Sequence, residues 1–120
     1  MNKLFIVLIY LIIFLPNAVL SETISFKDLV YRNGLYYKKF TDVPFTGKEE
    51  TYFKSGQLLN TGYYKDGKQH GLWLSYHNNG QLEYKGHYKN GEEDGLWVSY
   101  HNNGQLEYRG HYKNGEEVFD

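Results

Sequence analysis

The sequence predicts an all-β fold: a single-layer antiparallel meander of tandem β-hairpins that follows an N-terminal signal segment. Three observations predict it. A 24-residue unit recurs without gaps. Twelve of the 13 glycines fall on four phases of that unit, and a phase-locked glycine marks a recurring backbone need. Tyrosine is as frequent as glycine, at 13 residues, and this pairing of strand-forming rings with turn residues favours β-structure.

Residues 1–21 read as an export signal. Lys3 precedes an unbroken apolar run from Leu4 to Leu15, Pro16-Asn17 interrupts it, and Val19 and Ser21 suit the −3 and −1 positions of a cut after Ser21. Twelve apolar residues are too few to span a hydrocarbon core of about 30 Å. The expected location is therefore exported: periplasm, cell envelope or secreted. Loss of residues 1–21 removes Lys3 and no acid, which changes the formal charge from −1 to −2. Such balance argues against a nucleic-acid partner. The chain has no cysteine, which excludes disulfides, thiolate metal sites and a cysteine nucleophile.

Residues 22–46 read as a capping hairpin and connector. Asn33-Gly34 is a turn signal between Leu29-Val30-Tyr31 and Leu35-Tyr36-Tyr37. Phe40, Val43, Pro44 and Phe45 give the connector apolar content. Terminal units of a repeat array are usually atypical, and this hairpin is expected to lengthen the meander.

Residues 47–118 hold three repeats: 47–70, 71–94 and 95–118. The last two differ only at Leu74/Val98, Lys85/Arg109 and Asp94/Val118, and the first is diverged. Within each, two β-type runs flank a three-residue loop, Asn78-Asn79-Gly80 in the second copy. Such loops combine a type I turn with a left-handed glycine. This loop sets His77 opposite Gln81, then Tyr76 opposite Leu82, Leu74 opposite Tyr84 and Leu72 opposite Gly86. Because strand side chains alternate, one face collects Leu, Tyr and Gly and the other collects polar residues. The link Lys89–Gly95 is read as one loop, and pairing Tyr88 with Leu96 carries the same parity onward. Gly62, Gly86 and Gly110 recur inside strands. Each either lets an aromatic ring lie on bare backbone or marks a bulge.

In this register Trp73 and Trp97 lie on the polar face, opposite Lys85 and Arg109, within reach of cation–π contact. A structural role is favoured over a binding platform. With His77 and His101, these residues form the candidate partner-binding surface: Trp73, Trp97, His77, His101, Lys85 and Arg109. The last strand, near Leu106 to Tyr112, is expected to present unpaired backbone, so Leu106, Tyr108 and Tyr112 are the candidate exposed edge, open to a partner strand or to self-association.

No catalytic, metal or cofactor site is expected. Equivalent histidines of adjacent copies stand about 10 Å apart, two strands away, too far to share a zinc ion with bonds of about 2 Å. Glu92-Glu93-Asp94 and Glu116-Glu117 read as solvated loops that blunt strand edges. Ser75 and Ser99 recur once per copy, as a structural residue does. No nucleophile elbow, phosphate loop, dinucleotide fingerprint or EF-hand loop is present. The chain is expected to be a non-enzyme.

The string Tyr84-Lys85-Gly86-His87-Tyr88-Lys89-Asn90-Gly91, followed by Gly95, Trp97, Tyr100 and Asn103-Gly104, resembles a MORN repeat. It is closest to the bacterial variant, G-x-W-x-x-Y-x-x-N-G-x-L-x-x-x-G-x-Y-x-x-G. The first copy departs at Glu49, where Trp is expected, and at Ser55, where Asn is expected. The resemblance implies a partner-binding scaffold, with an antitoxin or immunity protein that neutralises a toxin as an alternative. Association with membrane lipid head groups is a further implication, which the slightly acidic chain weakens. The leading expectation is an exported scaffold that binds a protein partner, with at most weak membrane-surface contact and no nucleic acid.

Overall fold

A computed structural model of the chain describes residues 22–119. The expected signal segment and its cut after Ser21 lie outside the described residues. The fold is all-β. Strands β1 (Thr23–Ile24), β2 (Leu29–Arg32) and β3 (Leu35–Lys38) precede three long hairpins. These are β4 (Gly47–Tyr52) with β5 (Leu58–Lys65), β7 (Gly71–Tyr76) with β8 (Leu82–Lys89), and β10 (Gly95–Tyr100) with β11 (Leu106–Lys113). Short strands β6 (Lys68–Gln69), β9 (Glu92–Glu93) and β12 (Glu116–Val118) follow each of them. One open sheet runs β1-β4-β5-β7-β8-β10-β11-β12, with β6 on β5 and β9 on β8.

Two corrections concern the N-terminal unit. The Asn33-Gly34 hairpin forms, but β2 and β3 make a separate two-stranded sheet and do not extend the meander. Its link to the array is through the turns: Tyr36 N donates to Gly67 O, Gly67 N to Phe45 O, and Phe45 N to Tyr36 O. The edge of β4 is covered instead by β1, which runs parallel to it.

The three-residue loops have the expected form. Gly80 adopts φ 86°, and His77 N donates to Gln81 O at 2.8 Å. Asn79 Oδ1 accepts from Gln81 N at 3.0 Å, which completes the turn with a local side-chain bond. The links differ from the single loop expected. Asn90-Gly91 is itself a two-residue hairpin turn, with φ 51° and 82°, the pattern of a type I′ turn. It pairs Tyr88 with Glu93 and Lys89 with Glu92.

The main correction is to register. Tyr76 does face Leu82, but the next pair is Ser75 with Tyr84, followed by Leu74 with Lys85 and Trp73 with Gly86. Glu83 is the extra residue of a β-bulge, and its Oε2 accepts from Ser75 Oγ at 3.2 Å. The same bulge recurs in the other two hairpins, between Thr51/Tyr52 and between Ser99/Tyr100. A one-residue shift moves every later side chain to the other face. Trp73, Ser75, Tyr84, Gly86 and Tyr88 therefore share one face. Leu72, Leu74, Tyr76 and Leu82 share the other with Lys85 and His87. The single Leu/Tyr/Gly face is thus divided in two, and Leu72 is 43% exposed. The core lies on the aromatic face: Ile24, Leu29, Phe45, Tyr64 and Trp73, with Tyr36 and Tyr88 packed against it.

Candidate functional site

The aromatic face is built around one contact made twice. Gly62 of β5 meets Trp73 of β7, and Gly86 of β8 meets Trp97 of β10; a Cβ on either glycine would fall inside the indole ring. The recurring strand glycine is therefore a seat for tryptophan, the first of the two readings drawn from the sequence. Each indole then packs against tyrosines of the flanking strands. Trp73 lies 5.2 Å from Tyr64 and 5.9 Å from Tyr88, both edge-to-face. Trp97 lies 4.9 Å from Tyr88 and 6.5 Å from Tyr112. Edge-to-face pairs contribute about 0.5–1.5 kcal/mol each beyond area burial. The file continues through Tyr64 to Tyr36, at 5.0 Å, and to Tyr31, so the rings link the N-terminal hairpin to the last repeat.

At the N-terminal end the pattern changes chemistry. Glu49 occupies the tryptophan phase of the first repeat, opposite Gly62. It is 0% exposed. Its oxygens accept from Tyr64 Oη at 2.9 Å, Asn60 Nδ2 at 2.8 Å and Thr51 Oγ1 at 3.2 Å. The departure from the repeat pattern was visible in the sequence, but its role was not: a buried carboxylate is tolerated only where donors converge on it, and those donors come from two strands. Glu49→Ala would strand the Tyr64 hydroxyl. We expect a loss of about 2 kcal/mol, within the range for an unpaired buried polar group, read as a lower urea midpoint, with Glu49→Gln less affected.

Burial raises the phenol pKa of Tyr64 above its usual value, and the nearby Glu49 adds to the shift. Tyr88 is pushed up to about 12, first by burial and then by Glu93. The unfolded chain releases such a proton near 10, while the folded chain keeps it. The contribution to stability is thus full below pH 10 and is lost as pH rises through 12. We expect a lower urea midpoint at pH 11 than at pH 8.

The residues singled out from the sequence do not form one surface. Trp73 is 1% exposed and Trp97 half-buried, both on the core face, so neither is a platform on the polar face. Lys85 stands opposite Leu74 and Arg109 opposite Val98, which removes the expected cation–π pairs; among the described residues that contact is made by Arg32 over Tyr37, at 4.0 Å. His77 is half-buried and its Nε2 donates to Tyr100 O of the next repeat at 2.8 Å, so it joins repeats. His101, Lys85 and Arg109 are exposed.

The candidate edge is partly covered. Strand β12, unforeseen from the sequence, pairs Tyr112 with Glu117 and His111 with Val118. Tyr112 is therefore off the open stretch. Leu106, 57% exposed, and Tyr108 lie along the part of β11 without a strand on its outer side among the described residues. Tyr108 Oη lies 2.8 Å from Tyr112 Oη and donates to Glu117 Oε1 at 2.7 Å.

Among the described residues no group of three or more His, Asp or Glu could hold a metal ion, and no helix is long and apolar enough to cross a membrane. A hollow of about 100 Å³, between Tyr84, Trp97, Tyr108 and Tyr112, opens on the aromatic face. The arrangement suits recognition by packing and strand pairing. No curated protein and no solved structure shows significant similarity to the chain. The MORN repeat variant pattern matches residues 45–66, 69–90 and 93–114, together more than half of the chain. Three bulged hairpins at a 24-residue spacing are the physical form of those matches, and the chain belongs to the MORN repeat variant family.

Proposed function

We propose that the protein is an exported, non-enzymatic scaffold that binds a protein partner through the C-terminal end of its sheet. The observation that carries this reading is the stretch of β11 at Leu106–Arg109, which among the described residues has no strand on its outer side and lies beside the exposed Leu106 and Tyr108. Strand edges of this kind bind by adding a strand. The signal-like residues 1–21 support the export part, and the repeat family supports a binding role. Neutralising a toxin met outside the cytoplasm is a narrower form of the same reading.

Photo-crosslinking in the native host tests it. A benzoylphenylalanine at position 108 is expected to trap a discrete protein, whereas one at Val43, remote from β11, is not. Failure to trap any protein from position 108, or the same adducts from both positions, overturns the reading. If anionic vesicles compete for the adduct, membrane-surface binding replaces it.

A further inference from the structure

The array contains two copies of a glycine–tryptophan contact between neighbouring repeats, and β11 presents the glycine half of that contact a third time. Gly110 occupies the phase of Gly62 and Gly86. No indole sits on it. Its space is filled by the end of the Tyr108 ring, Oη and Cζ, and by Glu117 Oε1, the ends of two side chains whose residues are exposed or half-buried. The hydrogen-bonding groups of the second interface also recur around it, whereas the first interface has Phe53 and Ser55 at the phases of His77 and Asn79 and leaves Trp73 Nε1 without a partner. Inside the array, His77 Nε2 donates to Tyr100 O at 2.8 Å, Asn79 Nδ2 donates to Asn102 O at 2.7 Å, and Trp97 Nε1 donates to His87 O at 3.2 Å. The equivalents one repeat on are His101 Nε2, Asn103 Nδ2 and the His111 carbonyl. Asn103 Nδ2 makes a long 3.5 Å contact with Gln105 Oε1, and His101 Nδ1 lies 4.0 Å from Glu107.

Resting on the scaffold reading above, we infer that Gly110 is a tryptophan seat and that the partner is recognised by an extended segment whose indole replaces Tyr108 Oη and Glu117 there. The internal interfaces define its register. The tryptophan lies opposite Gly110, and the next two residues lie beside Arg109 and Tyr108, as Val98 and Ser99 lie beside Lys85 and Tyr84. The carbonyl three residues after the tryptophan accepts from His101, and the carbonyl five residues after it accepts from Asn103. Neither Trp73 nor Trp97 is free to fill it, since both are already seated or packed within the array, and the occupant to which the proposal commits is a segment of a protein partner.

The test uses two fluorescent peptides and the full chain. One peptide copies Trp97–Gly104, WVSYHNNG, because Phe119 and Asp120 already hold the phases of Gly95 and Leu96, and the other replaces its tryptophan by alanine. Titrated to about 1 mM, the weak end of specific association, the first is expected to bind and the second to bind at least tenfold more weakly. Gly110→Ala fills the seat with a methyl group that displaces only these two side-chain ends, and is expected to weaken the first peptide at least tenfold with an unchanged circular dichroism spectrum. Equal binding of both peptides, or binding indifferent to Gly110→Ala, overturns the tryptophan seat but leaves strand addition standing. No binding of either peptide overturns the seat, and the scaffold reading falls only if the crosslinking at position 108 also fails. A dimer by light scattering that Gly110→Ala dissociates overturns the inference in favour of a second copy.

Discussion

Gly86→Ala is expected to destabilise the protein by about 3 kcal/mol, at the top of the ordinary range for overpacking, whereas Gly110→Ala is expected to change stability by less than about 1 kcal/mol. The two glycines have the same sequence neighbours apart from Lys85 and Arg109. What differs is the object above them. A Cβ at Gly86 falls inside the Trp97 ring, which packs against Tyr84, Tyr88 and Tyr112 on the same face. A Cβ at Gly110 meets the end of the Tyr108 ring, its hydroxyl and Cζ, and the carboxylate of Glu117; both residues lie at the surface and their side chains can swing into water. Alanine also loses less chain entropy than glycine in a strand, about 0.5–1 kcal/mol, which offsets the lost Tyr108–Glu117 hydrogen bond. In a repeat array stability is a sum of unit and interface terms, so Gly86→Ala should sever the β8–β10 junction. Hydrogen exchange is the measurement: protection should fall across residues 95–113 and persist across residues 47–65. Equal protection in both segments would show that the glycine–indole contact does not hold the repeats together.

The second large effect is expected for Trp73→Ala, a loss of about 3–5 kcal/mol, the range for removing a buried aromatic side chain. Trp73 is the largest fully buried side chain. Its removal empties the seat on Gly62 and takes away the ring contacts to Tyr64 and Tyr88. Trp97→Ala should cost less, because Trp97 is half-buried and its Nε1 is lost from a hydrogen bond that water can replace. Thermal melts of the two variants check the order; for a domain of this size each kcal/mol moves the midpoint by about 4–8 °C. A Trp97 variant that melts lower than the Trp73 variant would place the centre of the core in the wrong repeat.

These two variants also show where sequence reasoning reached and where it stopped. The 24-residue phase, the Asn78-Asn79-Gly80 loop and the Asn33-Gly34 turn were legible because each depends on local backbone chemistry. The Asn90-Gly91 turn carried the same signal as Asn33-Gly34, and was missed because the link was treated as one loop. The bulge at Glu83 had no such signal. A polar residue in a strand ordinarily faces water, so the simplest register kept Leu72, Leu74 and Tyr84 together and sent Trp73 outward with Lys85. The large ring needed the bare backbone of the preceding repeat's glycine, and a one-residue bulge is what turns it there.

Local chemistry along the chain determined that hairpins form, where they turn, and that they repeat in phase, since glycine-dependent turns and alternating strands need no distant partner. Which face became the core was decided only when neighbouring repeats met. Trp73 finds its seat on Gly62, and Glu49 its donors on Asn60 and Tyr64, only across strands. The free energy of burying an indole or pairing a carboxylate exceeds the cost of one bulge, and that comparison exists only in the assembled sheet.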